Sequence, residues 1–195
     1  MTSDKHTRLT LLEKIRDLHD DRSWEDFANY YQAYIYVVLK KFIGNHHDCQ
    51  DLTQEVLMKA WKSLPTYQYR QGQCKFRTWL CTICRNSALN FLRKQKSRPQ
   101  NSASELNDFE AVSEAEIDQI SKDEWEEYIF EMAWNNIEQD FSSNVKDCFK
   151  LYNEGLTTRQ IAEKLNLAES SVRVNKKRLT QGLYREVLRL DNELG

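Results

Sequence analysis

The chain has 195 residues, of which 40% are hydrophobic and 30% are charged, so one or two small domains are expected. The longest apolar run, residues 34–39, is too short to cross a bilayer. The first residues lack the basic start and the long apolar core of a secretory signal. From these features we expect neither a membrane-spanning nor a secreted protein, but a cytoplasmic one with no membrane insertion.

The formal net charge of −2 hides a segregation of charge along the chain. Residues 1–100 hold 17 Lys and Arg against 10 Asp and Glu, whereas residues 101–141 hold 1 against 13. Residues 142–195 are basic again, with 10 against 7. Two basic blocks that flank an acidic connector indicate that each end of the chain is suited to binding a polyanion.

The five cysteines are an odd number in no disulfide-dense pattern, so reduced thiols are expected. Cys81 and Cys84 form a CxxC pair. Further zinc ligands could be supplied by His46, His47 and Cys49. Structural zinc sites usually draw paired ligands from turns, whereas this pair lies one turn apart in a predicted helix. We expect no metal and no other cofactor. Whether the pair is redox-active or simply packed stays open.

The first hundred residues are predicted to be helical. Residues 1–22 are interpreted as an N-terminal extension that contains a short amphipathic helix. The sequence does not indicate the role of this helix. From Trp24 to Phe42, aromatic and aliphatic residues recur at helical spacing, and Gly44 ends the stretch. An aromatic face with this spacing more often packs in the core of a helical bundle than lines a ligand pocket.

The next stretch, DLTQEVLMKAWKSL (51–64), predicts an amphipathic helix. Its apolar residues recur at every fourth position: Leu52, Val56, Ala60 and Leu64. Asp48 or Asp51 is expected to cap it. The other face of this helix is polar and carries Asp51, Gln54, Glu55, Met58 and Lys62.

A polar segment with Tyr67 and Tyr69 then leads to a basic and aromatic helix, KFRTWLCTICRNSALNFLRKQK (75–96), which Arg98-Pro99 ends. Cations, an aromatic ring and two amides stand out in it: Lys75, Arg77, Trp79, Arg85, Asn86 and Asn90. Aromatic rings stack on bases and cations hold phosphates, so this combination is typical of a surface that binds an opened DNA strand.

Residues 100–122 are rich in Ser, Asn, Glu and Asp, which predicts a solvated linker. A second interpretation is that their negative charge imitates nucleic acid inside a basic channel of a partner. Helices are expected to resume at Asp123.

The C-terminal segment 156–190 has the spacing of a helix-turn-helix. Thr157 and Gln160 are predicted to form a capping box, and Asn166 is expected to take the left-handed conformation at the turn. Donors for phosphates and base edges lie on both helices: Arg159, Ser170, Ser171, Arg173, Asn175, Lys176, Lys177 and Arg178. Ser171 and Asn175 are interpreted as base readers, and the cations as phosphate contacts.

Together, DLTQEVLMKAW, FRTWL, the Asn seven residues after the Trp and the basic tail resemble region 2 of bacterial sigma factors, from Trp24 to Arg98. The resemblance is to the small extracytoplasmic-function type of the sigma-70 superfamily, and residues 156–190 resemble its region 4. It implies an all-α fold, with a region 2-like domain at 23–99 and a region 4-like helix-turn-helix domain at 123–195, joined by the acidic linker 100–122. No catalytic residue and no enzyme activity are expected.

The resemblance also implies partners. The polar face of residues 51–62 would bind the clamp helices of the RNA polymerase β′ subunit, and the β flap would be a further contact of the core enzyme. Tyr69 (or Tyr67) and Asn86 would enclose a flipped base of the single-stranded minus-10 element. The C-terminal helix would hold the double-stranded minus-35 element. Binding of an anti-sigma factor, the promoter sequence and the activating stimulus stay open.

This sequence departs from the family pattern at four positions: Asn166, Ala168, Asn175 and Lys176. The minus-35 sequence therefore cannot be carried over from relatives. A free-standing helix-turn-helix regulator with an N-terminal sensing or dimerisation bundle is the main alternative, and it leaves residues 51–96 unexplained. A nucleic-acid enzyme would need a phosphate-binding glycine loop, paired metal-binding carboxylates or a nucleophile beside a base, and none stands out.

Overall fold

The computed structural model describes residues 21–67, 75–96 and 113–194. All regular structure in these residues is helical, which confirms the predicted all-α class. They belong to two compact units, one within residues 1–128 and 193–195 and the other at residues 129–192. The short helix expected within residues 1–22 lies almost entirely outside the described residues.

The α-helices of the described residues are α1 (Asp21–Lys40), α2 (His46–Ser63), α3 (Phe76–Lys96), α4 (Glu114–Ile137), α5 (Ser143–Asn153), α6 (Thr158–Leu165) and α7 (Glu169–Leu194). Short 3-10 turns follow α2 at Leu64–Thr66 and α4 at Glu138–Asp140. None of the helices in the described ranges is both long and apolar enough to span a membrane.

In the first unit, α1, α2 and α3 pack around an aromatic and aliphatic core. The ring of Tyr31 lies 4.9 Å from that of Phe27 and 5.1 Å from that of Phe76, measured between centroids. All three are buried. The apolar residues predicted at every fourth position from α2 onward are buried as well: Leu52, Val56, Ala60 and Leu64. The aromatic face of α1 is therefore core, as the sequence indicated.

The start of α2 differs from the prediction. Asn45 caps the helix, because its side-chain oxygen accepts hydrogen bonds from the backbone N–H groups of His47 at 2.8 Å and Asp48 at 3.3 Å. Asn45 has an extended backbone and stands immediately before the helix, where a capping side chain can reach these donors. Asp48 and Asp51 lie inside the helix instead.

The helix α4 begins at Glu114 rather than at Asp123, so the end of the predicted linker is helical. Ser113 and Glu116 form the start: the Ser113 N–H donates to Glu116 Oε2 at 2.7 Å, and the Glu116 N–H donates to Ser113 Oγ at 3.3 Å. Ser121 is buried, and the Tyr34 hydroxyl donates to its carbonyl at 3.2 Å. Residues 100–112 of the predicted linker lie outside the described residues.

The second unit is built on a small core shared by α5, α6 and α7. Its buried members are Cys148, Leu151, Ile161, Ala162 and Val172. Three half-buried leucines pack against this cluster: Leu156, Leu165 and Leu167. The last two come from α6 and the turn after it, so the same core fixes the angle at which the chain enters α7.

Candidate nucleic-acid interface

The polar face of α2 is exposed along its whole length. It carries the five residues that the sequence singled out: Asp51, Gln54, Glu55, Met58 and Lys62. Met58 is 46% exposed although it is apolar. Glu55 is not isolated, because its carboxylate lies 2.6 Å from the Lys59 ammonium. The face combines carboxylates with an exposed thioether, a composition suited to another protein rather than to a polyanion.

A second exposed strip runs along α3. At about 100° per residue, Lys75, Trp79, Asn86 and Asn90 fall on one side of the helix. Both asparagines are exposed. Their amides can donate to and accept from the pairing edges of unstacked bases. This strip therefore brings together four of the residues predicted to contact the minus-10 element.

Arg77 and Arg85 do not belong to that strip. By the same helical geometry, Arg77 lies about half a turn around the helix axis from Trp79, and Arg85 lies about a third of a turn from it. The backbone carbonyl of Arg77 accepts a 3.5 Å hydrogen bond from the Tyr34 hydroxyl of α1. Arg77 therefore lies on the side of α3 that is packed against the bundle, and both arginines are half-buried.

Tyr67 is a core residue in the structure, not an exposed base-stacking residue. It is 7% exposed, and its ring lies 5.4 Å from that of Phe76 and 4.9 Å from that of Trp79. A base cannot stack on a ring whose faces are already covered. Trp79 is half-buried in the same cluster, 5.2 Å from Phe76. Tyr69, the other candidate, lies outside the described residues.

Between α2 and α3 lies a groove of about 280 Å³ that the sequence did not reveal. It is lined by Glu55, Lys59, Ser87, Asn90, Phe91, Arg93 and Lys94. Three cations, one carboxylate, an amide and an aromatic ring meet there. The available signal was the spacing, because Asn90, Arg93 and Lys94 lie three and four residues apart on one helix face.

The helix-turn-helix is present as predicted. Thr157 and Gln160 form the capping box: the Gln160 N–H donates to Thr157 Oγ1 at 3.3 Å, and the Thr157 N–H donates to Gln160 Oε1 at 2.9 Å. Asn166 ends α6 in the left-handed conformation, with φ of 51°. Both local predictions are confirmed, and they set α6 and α7 on either side of a tight turn.

The outward face of α7 carries most of the donors expected there. Ser170, Ser171, Arg173, Lys177 and Arg178 are all exposed. Arg173 forms an exposed ion pair with Glu169 at 2.8 Å within the helix. On α6, Arg159 is exposed and pairs with Glu163 at 3.0 Å. Exposed pairs of this kind contribute little to stability, so both arginines can exchange their carboxylate for a phosphate.

Asn175 and Lys176, which were predicted as DNA contacts, do not lie on this outward face. The Asn175 amide donates to Cys148 Sγ of α5 at 3.7 Å. The Lys176 ammonium lies over the Tyr152 ring, 3.1 Å from its centroid. Both residues are half-buried, because at helical spacing they fall beside the inward-facing side of α7. Val174, which was not among the predicted contacts, is exposed on the outward face instead.

The CxxC pair is packed inside the first unit. Cys81 and Cys84 are both buried, and neither is in a disulfide. Burial raises the pKa of Cys81 to about 12 and that of Cys84 well above its usual value, so both are thiols at neutral pH. Within the described residues no group of three or more His, Cys, Asp or Glu is placed to hold a metal ion.

Comparison with known proteins shows which proteins share the segments that form these surfaces. The sequence model of the Sigma-70 region 2 family matches residues 27–98, the segment that contains α2 and α3. The chain is 29% identical over 77 residues to "ECF RNA polymerase sigma factor SigW" of Bacillus subtilis, a match that covers 40% of each chain.

Two further relatives give longer matches. "ECF RNA polymerase sigma factor SigE" of Mycolicibacterium smegmatis is 25% identical over 171 residues, which cover 88% of this chain and 64% of the relative. The "ECF RNA polymerase sigma-E factor" of Escherichia coli K12 is 29% identical over 112 residues, 56% of each chain. The chain thus spans less than two thirds of the length of these curated relatives. These matches show that residues 27–98 correspond to Sigma-70 region 2, and that the chain is similar to sigma factors of the extracytoplasmic-function type.

Proposed function

We propose that this protein is a sigma factor, which binds core RNA polymerase, directs it to particular promoters and nucleates DNA opening. The match of residues 27–98 to sigma-70 region 2 carries the proposal. Those residues are the ones that present a polar face on α2 and an amide-bearing strip on the neighbouring helix α3. The protein itself performs no chemistry, and it acts in the cytoplasm, where the polymerase is.

The polar face of α2 is proposed to bind the clamp helices of the polymerase β′ subunit. Support comes from the exposure of all five residues and from Met58, whose 46% exposure leaves a flexible apolar side chain free to pack on a partner. Core RNA polymerase is thus the first partner. The β flap is proposed as a second contact.

The strip on α3 is proposed to bind the opened minus-10 strand. Extruding a base from the duplex costs a few kcal/mol, which stacking and hydrogen bonds in a pocket repay. Asn86 supplies the hydrogen bonds, and Tyr69 supplies the stacking surface now that Tyr67 is in the core. The cations Lys75, Arg93 and Lys94 lie on or near the same side of the helix and are suited to its phosphates.

The outward face of α7 is proposed to bind the double-stranded minus-35 element. The recognition helix of a helix-turn-helix enters the major groove with its N-terminal residues at the base edges. Ser170 and Ser171 occupy that position, and Arg173, Lys177 and Arg178 flank them. Neutralising one phosphate-contacting cation such as Lys177 should weaken binding evenly across sequences and make the salt dependence shallower by about one unit.

The decisive experiment is transcription with purified components. Core RNA polymerase that lacks a sigma factor should initiate at defined promoters only when this chain is added. A free-standing regulator would instead bind duplex DNA without polymerase and would not restore initiation. Transcripts that do not depend on the added chain would overturn the proposal.

Variants of α2 test the polymerase contact. Asp51→Lys combined with Met58→Lys should weaken core binding at least tenfold, because it introduces two cations into the face while Glu55 and Lys59 themselves are kept. Glu25→Lys combined with Asn29→Lys on α1 is the matched control, since both residues are exposed and the net charge changes by the same amount. Exposed substitutions rarely cost much stability, so all variants should fold. Equal affinities for the two pairs would rule out α2 as the contact.

Variants of α3 test promoter opening. Asn86→Ala should weaken binding to forked or single-stranded minus-10 DNA about tenfold or more, in line with the roughly 1–3 kcal/mol of a bidentate amide contact to a base edge. Polymerase binding should not change. Asn29→Ala, an exposed amide on α1, is the control. Permanganate footprinting reports opening directly, and normal thymine reactivity near the start site in Asn86→Ala would exclude this pocket.

A further inference from the structure

Val174 is an exposed apolar residue in the middle of the outward face of α7. It is 62% exposed, whereas Val172, two residues earlier, is buried in the core. Ser170 and Ser171 lie one turn before Val174, and Lys177 and Arg178 lie one turn after it, all of them exposed. Val174 is therefore the apolar centre of a face that is otherwise made of hydroxyls and cations.

The size of the side chains gives this face a shape. Serine and valine are short, so the helix backbone can approach the floor of a major groove at positions 170, 171 and 174. The long cations Arg173, Lys177 and Arg178 surround this low centre and can reach outward to the phosphates on either side. A valine at the centre is thus held where base edges are, rather than where phosphates are.

An apolar valine side chain has one favourable partner among the groups that base edges expose in the major groove. Its side chain has neither donor nor acceptor, and the major groove offers one apolar group, the C5-methyl of thymine. We propose that Val174 contacts the methyl group of a thymine in the minus-35 element and thereby selects an A·T pair at that position. This inference rests on the proposed function of α7, and it adds a base reader that takes the place of Asn175.

The test removes methyl groups from each side of the contact in turn. The full chain, assembled with core polymerase, is first used to select minus-35 sequences from a random pool. Each thymine of the selected element is then replaced by deoxyuridine, which lacks only the methyl. Burying one methyl group corresponds to about a fourfold change in affinity, so one replacement should weaken binding about fourfold.

The variant Val174→Ala should weaken binding to the thymine site by a similar factor and should lose the difference between thymine and uracil at that position alone. Alanine favours helix, so the fold is kept. Leu188→Ala is the matched control, since Leu188 is exposed on the same helix about four turns beyond Val174 and should not affect the uracil penalty. A solvated valine without a DNA contact would leave the penalty equal in Val174→Ala and the parent chain.

Three results would overturn the inference: a selected element without thymine, no penalty for any uracil, or a penalty that Val174→Ala retains. If no sequence is enriched and no promoter-dependent transcript forms, the proposed function itself fails. Enrichment of a defined element together with a uracil penalty unaffected by Val174 would leave the proposed function standing and remove only this contact.

Discussion

The Lys59 ammonium donates a 3.1 Å hydrogen bond to Ser87 Oγ, and so connects α2 to α3 at the groove between them. The same ammonium lies 2.6 Å from the Glu55 carboxylate. Lys59 thus stands between the face proposed for polymerase and the helix proposed for the opened strand. It helps to set the spacing of the two surfaces.

Replacing Lys59 with methionine should lower the free energy of unfolding by about 1 kcal/mol, because the buried Ser87 hydroxyl loses a charged donor. Urea denaturation of the full chain measures this. Lys62→Met is the control, since Lys62 is exposed on the same helix and should cost less. Equal midpoints for the two variants would mean that the Lys59–Ser87 bond contributes nothing.

The left-handed conformation of Asn166 predicts a clear difference between two substitutions. Asn166→Gly should be neutral or slightly stabilising, because glycine takes φ of 51° without strain. Asn166→Ala should cost about 1 kcal/mol, since a Cβ without a compensating hydrogen bond is unfavourable there. Thermal melts of both variants decide the matter, and an alanine variant as stable as the glycine variant would contradict the turn.

The inward orientation of Asn175 predicts that its substitution affects stability, and not the base preference that its position in the sequence suggested. Asn175→Ala should leave the preferred minus-35 sequence unchanged and should lower stability modestly, by roughly 0.5–1 kcal/mol, through loss of its contact with Cys148. Ser171→Ala should behave in the opposite way, with altered base preference and unchanged stability. Binding-site selection and melting of both variants measure the two effects, and altered preference in Asn175→Ala would place it on the DNA side.

The raised pKa of Cys81 predicts slow chemistry at its sulfur. With a pKa of about 12 instead of 9.0, the thiolate fraction at pH 8 is about a thousandfold lower than that of an ordinary thiol. Iodoacetamide should therefore not label Cys81 or Cys84 in the folded chain, and each added pH unit below pH 12 should raise the thiolate fraction of Cys81 tenfold. Mass spectrometry of the alkylated peptides, with urea-unfolded protein as reference, checks this. Rapid labelling of Cys81 in the folded state would favour a redox role.

Local sequence rules predicted much of the architecture. The apolar residues at every fourth position from Leu52 to Leu64 predicted the buried face of α2. They thereby also predicted the exposed face that is proposed to bind polymerase. Thr157, Gln160 and Asn166 predicted the ends of α6. Each of these features depends on residues within a few positions of one another, so no knowledge of the tertiary fold was needed.

Other features depended on distant parts of the chain. Tyr67 is buried because Phe76 and Trp79 of the next helix cover its ring, a contact that the polar composition around it concealed. Asn175 could have been placed correctly, because it lies three residues after Val172 and four before Leu179, on their buried face. The start of α4 could also have been predicted from the sequence, since Ser113 and Glu116 have the spacing of a capping box.

The burial of Tyr67 has an evolutionary consequence. Its ring and that of Phe76 are in contact at 5.4 Å, so the two chain ends that flank residues 68–74 are fastened to one another by the bundle itself. The bundle does not rely on the intervening seven positions to hold these ends together. We therefore expect that chains with exchanged residues at positions 68–74 keep the Tyr67–Phe76 contact, so that this stretch of sequence can diverge, in nature or by design, independently of the core.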